Sequence, residues 1–230
     1  MGGGLSEVLR TLQKFSEIAT LGKLVTSTDK TRFNPRIDNF FYNKWTLLKL
    51  MFIQLYTPLF TSIAKNYFAE LNYVDLFAGS GVGRLKDTDI IIAGSPIIAL
   101  SFARIPFVRA YLVEISEAKI EMLKRRVNRL RELSKDESHR DYVFSDLSDI
   151  KVYFMGYDAN EAVHKIFCEV AKRHNRLLRN VKKGCINLIF IDPFGLNFSW
   201  SSLRCILLSL IHISEPTRPL YISYAVFCLK

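Results

Sequence analysis

Two kinds of hydrophobic pattern divide the chain. Residues 5–20 and 43–69 repeat apolar positions at helical spacing, and Pro58 is placed to kink the second helix. The polar stretch Thr26 to Asp38 between them reads as a loop. From residue 72 the pattern changes to short, nearly all-apolar runs: "NYVDLF" (72–77), "AYLVEI" (110–115), "KVYFMGYDA" (151–159) and "CINLIFIDPFG" (185–195). These read as strands. Between them, residues 94–104 open like a helix, with Ser95 as N-cap and Pro96 at the first helical position. Ser116 caps a long helix with Ile120, Leu123, Val127 and Leu130 on one face, and residues 161–178 supply a further crossover helix. Apolar strands alternating with helices predict a doubly wound, mostly parallel α/β sheet, preceded by an N-terminal helical layer.

Residues 208–230 break this pattern. "LSLIHISEPTR" and "ISYAVFCLK" resemble constant parts of a translated sequencing adapter. The resemblance implies a natural chain ending near Leu207, a sheet truncated after its fourth strand, and no functional weight for His212 or Cys228. The alternative is a genuine C-terminal strand. The expected organisation is therefore an N-terminal helical extension over 1–70, an incomplete sheet domain over 71–207 and a non-native tail over 208–230.

Composition narrows the partners. The chain has 230 residues, 49% of them hydrophobic, which is enough for one sizeable core. Its net charge of +10 points to a polyanionic partner such as nucleic acid, or to a generally basic soluble protein. The densest basic cluster is Lys124, Arg125, Arg126, Arg129 and Arg131 on one predicted helix, where a solvated outer face is the simpler reading. The four cysteines, Cys168, Cys185, Cys205 and Cys228, include no C-x-x-C pair, so no metal site is expected; their scatter fits a reducing, cytoplasmic setting. The apolar run Leu47 to Ala64 contains Lys49, Gln54 and Pro58 and reads as a buried helix, with no membrane contact. The opening Met1-Gly2-Gly3-Gly4-Leu5-Ser6 fits the loose myristoylation pattern, but reads more simply as a flexible start.

The chemistry is concentrated in "YVDLFAGSGVGR" (73–84). Three glycines after a buried strand let the backbone turn sharply and approach a ligand closely. A nicotinamide dinucleotide site wants G-x-G-x-x-G, and the third position here is Arg84; a P-loop wants a Lys-Ser/Thr pair, and none follows. S-adenosylmethionine remains, its methionine end needing an acid and close backbone groups, and Asp75, Phe77, Gly79 and Gly81 are the candidate cofactor-binding residues of this loop. Glu114 ends the second strand, where a carboxylate accepts both ribose hydroxyls, and Asp158 ends the third, where an acid meets the adenine amino group. Asp192 ends the fourth. Acids at four strand ends beside one glycine loop predict a Rossmann-like methyltransferase sheet. "DPFG" (192–195) resembles the Asn/Asp-Pro-Pro-Tyr/Phe sequence of amino-methyltransferases and the motif of the tRNA guanine-N2 dimethyltransferases, which makes Asp192, Pro193 and Phe194 the candidate acceptor residues. The alternative is a tight turn with Phe194 in the core.

The whole arrangement resembles the three-Cys-motif partner protein (TcmP) family. The matching residues are Trp45, Lys49, Leu50 and Tyr56, "YVDLFAGSGVG" (73–83), "AGSPIIAL" (93–100), "VEIS" (113–116), "GYDAN" (156–160) and "FIDPFGLNFSW" (190–200). The resemblance implies a methyltransferase-like fold, with Asp75, Gly79 and Gly81 at the cofactor's methionine end, Glu114 at the ribose, Asp158 at the adenine and Asp192, Pro193 and Phe194 facing the acceptor. It also implies a neighbouring three-cysteine-motif radical-S-adenosylmethionine-type protein as a partner. The segment from Arg84 to Ala93 departs from a plain methyltransferase and forms either a lid or a long loop. Two functions are expected: an S-adenosylmethionine-dependent methyltransferase acting on an amino group of a nucleic acid base, or a non-catalytic, cofactor-binding partner subunit.

Overall fold

The structure is a computed structural model that describes residues 3–181, 183–193, 198–211 and 224–228. Its centre is strand β2 (Glu70–Asp75), in which every residue is buried. In chain order the other elements are α1 (Gly3–Val25), β1 (Phe41–Tyr42), α2 (Lys44–Ala64), β3 (Val82–Leu85), β4 (Ile91–Ala93), α3 (Ser95–Phe102), β5 (Arg109–Val113), α4 (Glu117–Ser134), β6 (Lys151–Met155), α5 (Ala159–Val181), β7 (Cys185–Ile191), α6 (Trp200–Ile211) and β8 (Tyr224–Cys228). The main sheet has the order β6-β5-β2-β7-β8, all parallel. The chain starts at β2, winds outward through β5 to β6, then returns across the sheet through α5 to β7. The order therefore reverses between β2 and β7, where Asp75 pairs in register with Phe190.

This is the doubly wound parallel architecture expected of an α/β chain whose strands are almost entirely apolar. The two faces carry separate cores. On one, Ile18 and Leu21 of α1, Leu50 and Phe60 of α2, Ile97 of α3 and Leu123 of α4 pack on Tyr73, Ala110 and Leu188. On the other, Val163, Ile166 and Val170 of α5 and Ile206 of α6 pack on Val74, Tyr111 and Ile189. The N-terminal helices thus share the sheet's own core. Where α1 passes β4 it needs Gly22, because a Cβ there would lie 2.8 Å from the Ile91 carbonyl oxygen.

Four features differ from the expectation drawn from the sequence. The sheet continues past its fourth strand: β8 pairs in parallel with β7. The Arg84–Ala93 segment is neither a lid nor a plain loop but part of a β3–β4 hairpin, which joins β1 in a second, three-stranded sheet. Gly94, not Ser95, is the N-cap of α3. Helix α2 runs unbroken through Pro58 and is only half buried: Trp45, Leu48, Phe52, Leu55, Leu59 and Ile63 are exposed. It is the one helix among the described residues long and apolar enough, by length and composition, to cross a membrane; its other face is built into the core.

Candidate cofactor cavity

The loop that leaves β2 folds back on itself because its first acid gathers the donors around it. Asp75 is fully buried. Its Oδ2 accepts from the hydroxyls of Tyr73 (2.8 Å) and Ser95 (2.7 Å), and its Oδ1 from the backbone N–H of Phe77 (3.1 Å). Burial pushes the Asp75 carboxyl up to about 6 against the pull of those three hydrogen bonds, and the negative charge of Asp192 adds to the rise. The loop then needs left-handed backbone at Gly79 (φ 59°) and Gly81 (φ 85°). Its far end is tied to the start of α3 by the Gly94 N–H, which donates to the Gly81 carbonyl at 2.8 Å.

Above this loop, at the carboxyl ends of β2, β5, β6 and β7, lies a cavity of about 590 Å³. That is the crevice at a topological switch point where open α/β sheets bind ligands. Five parts of the chain wall it. The loop after β2 gives Leu76, Phe77, Ala78 and Gly79; the end of β5 and start of α4 give Glu114, Ile115 and Lys119; the end of β6 gives Tyr157, Asp158 and Ala159; and β7 ends in Phe190 and Asp192. The fifth is the N-terminal layer, with Phe40, Phe41, Tyr42, Thr46 and Leu50.

Of the residues singled out in the sequence, the structure brings Phe77, Gly79, Glu114, Asp158 and Asp192 to this one cavity. Asp75 and Gly81 are not on its wall. Asp75 lies beneath the loop with its carboxylate taken up by protein donors, and Gly81 packs against Leu123 and Ile97. Pro193 is half-buried next to Asp192. Phe194 lies outside the described residues. Glu114 accepts from the Ser116 N–H and Asp158 from the Asn160 N–H, both at 2.8 Å through one oxygen, so each acid is fixed by the first turn of the helix that follows it.

Sequence reasoning missed the N-terminal wall. Tyr42 sits against Gly83, where a Cβ would come within 2.6 Å of its ring. Burial, then the negative charges of Asp75, Asp38 and Asp192, push its hydroxyl pKa well up, so it stays protonated. Lys119 lies 4.1 Å above the Phe40 ring, closing one side of the cavity. Lys49 of α2 reaches Asp192, Nζ to Oδ1 at 2.5 Å. The run Phe40-Phe41-Tyr42 before a helix cap was the available signal; nothing in its spacing said which strand ends it would face.

The basic helix is also not what its charge suggested. Arg126 is fully buried and chelates Asp38 at 2.6 and 2.7 Å while donating to the carbonyls of Thr31 and Ser80. Arg131 donates to the Ile150 carbonyl, and Lys124, Arg125 and Arg129 pair with glutamates of the same helix. Arg126 and Arg131 thus tie distant parts of the chain together, while Lys124 and Arg125 are about half exposed on the outer face. Among the described residues no group of three or more His, Cys, Asp or Glu side chains is placed to hold a metal ion.

A chain of this class, a doubly wound α/β protein with a cavity at its switch point, is similar in broad chain path to two solved structures. One is protein LPL1258 from Legionella pneumophila str. Philadelphia 1, of the family model DUF519, at 18% identity and a TM-score of 0.36, covering 68% of this chain and 60% of that one. The other is Trm1 from Pyrococcus horikoshii in complex with S-adenosyl-L-methionine, at 17% identity and a TM-score of 0.36, covering 76% of this chain and 33% of that one. The chain thus spans less than two thirds of either protein's length. No family model matches the chain, and no curated protein does. The fold rests on the strand order and register described above.

Proposed function

We propose that the chain is an S-adenosylmethionine-dependent methyltransferase acting on an amino group of a nucleic acid base. The observation that carries this is the meeting of Glu114, Asp158 and Asp192 with Gly79 in one cavity at the switch point. The donor set suits the cofactor. Glu114 retains lone pairs for two ribose hydroxyls, Asp158 for an exocyclic amine, and Leu76, Ile115 and Ala159 supply apolar wall for a flat ring. Gly79 lets the backbone approach the methionine end, and the surrounding carboxylates favour a cation there.

The cofactor would supply a methyl group activated on a sulfonium sulfur. Asp192 accepts a hydrogen bond from the acceptor N–H and so turns the nitrogen lone pair toward that methyl. With the cofactor bound, the methyl would pass to that nitrogen, leaving the bonding electron pair with the departing cofactor, and Asp192 would take the displaced N–H proton on toward solvent. Tyr42, held protonated, serves as wall and donor and not as base. The net charge of +10 and the resemblance to the three-Cys-motif partner family support the same reading.

Calorimetric titration of S-adenosylmethionine tests it. Micromolar binding is expected, weakened about 10-fold or more by Glu114→Ala and by Asp158→Ala, from the loss of one or two charge-assisted hydrogen bonds. Asp192→Ala should leave cofactor binding intact while abolishing transfer. Absence of binding at millimolar cofactor would sink the proposal.

A further inference from the structure

The contact between Lys49 and Asp192 joins residues 143 positions apart and ties Lys49 to an acid that lines the cavity, with both side chains about a quarter exposed, 22% and 25%. Partly exposed ion pairs add little to stability, so holding the fold together is a weak account of this one. Two large exposed rings belong to the same N-terminal layer as Lys49. Phe41 lines the cavity and is 64% exposed; Trp45 is 75% exposed and lies one helical turn before Lys49 on the same side of α2. Uncovered aromatic rings beside a cavity mark a contact surface for something flat or apolar.

We propose that Lys49 and Asp192 act as one reading head for the methyl acceptor, with Phe41 and Trp45 as stacking surfaces; this rests on the methyltransferase reading above. A carboxylate only accepts hydrogen bonds and an ammonium only donates them. Side by side, they match an N–H donor next to a ring acceptor two bonds away, the H₂N–C=N edge. Adenine presents that edge at N6 with N1, cytosine at N4 with N3, and guanine at N2 with N3. Uracil and thymine have no exocyclic amine, and an aliphatic amine has no neighbouring acceptor. Base pairing engages much of this edge, so the substrate class is an unpaired or extruded base carrying an exocyclic amine. Stacking on exposed rings is how such bases are held without regard to the rest of the strand. Lys49 is then a specificity-determining residue: it recognises the ring acceptor and keeps the Asp192 carboxylate turned to the amine.

The test uses the full chain with S-adenosylmethionine labelled in its methyl group. Acceptors are single-stranded oligonucleotides containing adenine, cytosine or guanine, a thymine-only strand, a duplex and a lysine-rich peptide. Label is expected on at least one amine-bearing single strand, and not on the thymine strand or the peptide. In Lys49→Met the acceptor KM should rise at least 10-fold while cofactor affinity stays within twofold, which shows that the fold is intact; Lys49→Arg should recover part of the loss. Phe41→Ala and Trp45→Ala should raise the acceptor KM in the same way. Label on the peptide, transfer by Lys49→Met at the wild-type KM, or bound cofactor with no label on any amine-bearing strand would each overturn the inference. Failure to bind the cofactor at all is a different result: it removes the methyltransferase reading, and this inference with it.

Discussion

At the scale of single residues, the glycine loop and the acid beneath it make distinct predictions. Gly79 and Gly81 both have left-handed backbone, but their surroundings differ. A Cβ at Gly79 would meet only the Phe40 ring at 3.4 Å, whereas one at Gly81 would lie 2.8 Å from Leu123 and 3.1 Å from Ile97. Gly79→Ala should therefore cost the left-handed penalty alone, about 1 kcal/mol. Gly81→Ala adds a clash inside the α3–α4 packing and should cost about 2–4 kcal/mol in urea unfolding. Equal costs would show that the two turns are not held as described. Asp75 gives a pH signature. Its folded carboxyl titrates near 6 instead of 3.8, so between those values the folded state binds more protons than the unfolded one. That group's contribution is most favourable below pH 4 and is lost as pH rises to about 6, by about 3 kcal/mol. Asp75→Asn should flatten the wild-type fall in Tm over that window; an unchanged slope would place the proton elsewhere. The sequence marked Asp75 as a ligand residue because an acid before a glycine loop looks the same whether it faces a cofactor or supports the loop. The difference is made by Tyr73 two residues back and Ser95 twenty residues on, and only the fold brings both hydroxyls to one oxygen.

At the scale of elements, α2 and α4 separate what composition suggests from what packing does. On α2, Phe60 is buried and Leu59 is 61% exposed. Phe60→Ala should cost about 3–5 kcal/mol and Leu59→Ala less than about 0.5, read as a shift of urea midpoint at constant m. The helical period was plain in the sequence. The exposed half was not, because an apolar helix written all round reads as buried. Helix α4 has the opposite history: its basic run looked solvated, yet Arg126 is sealed against Asp38 and bridges the Thr31 segment to the glycine loop at Ser80. Periodicity had the information, since Arg126 sits three residues after Leu123 and beside Val127 on the packed side, but a guanidinium is not expected there until its acid is known. Removing one partner of a buried pair strands the other. Arg126→Ala should lose about 3–5 kcal/mol and open residues 27–38 to protease, whereas Arg125→Ala, whose guanidinium is about half exposed, should do neither.

At the scale of the whole molecule, four strands of the main sheet, their order of appearance and the acids at their ends were legible, because alternating apolar runs and helical faces specify a doubly wound sheet almost without tertiary information. The pairing of distant parts was not. Lys49 with Asp192, Asp38 with Arg126 and Phe40 with Lys119 each join the N-terminal layer to the sheet domain, and no local pattern encodes a partner about 80 to 140 residues away. Those ties bear on whether 1–70 is an appendage. Ile18, Leu21, Leu50 and Phe60 lie in one continuous core with Tyr73, Ala110 and Leu188, and Phe40 to Tyr42 form a wall of the cavity. An element that shares its core and its ligand site with the sheet has no separate unfolding to undergo. Scanning calorimetry should then show one transition with equal calorimetric and van't Hoff enthalpies. S-adenosylmethionine at 100 times its Kd should raise stability by about 2.7 kcal/mol, moving that single transition up by roughly 5–10 °C. Were the helices a separate unit, the cofactor would instead split the trace, shifting the sheet's transition and leaving an earlier one in place.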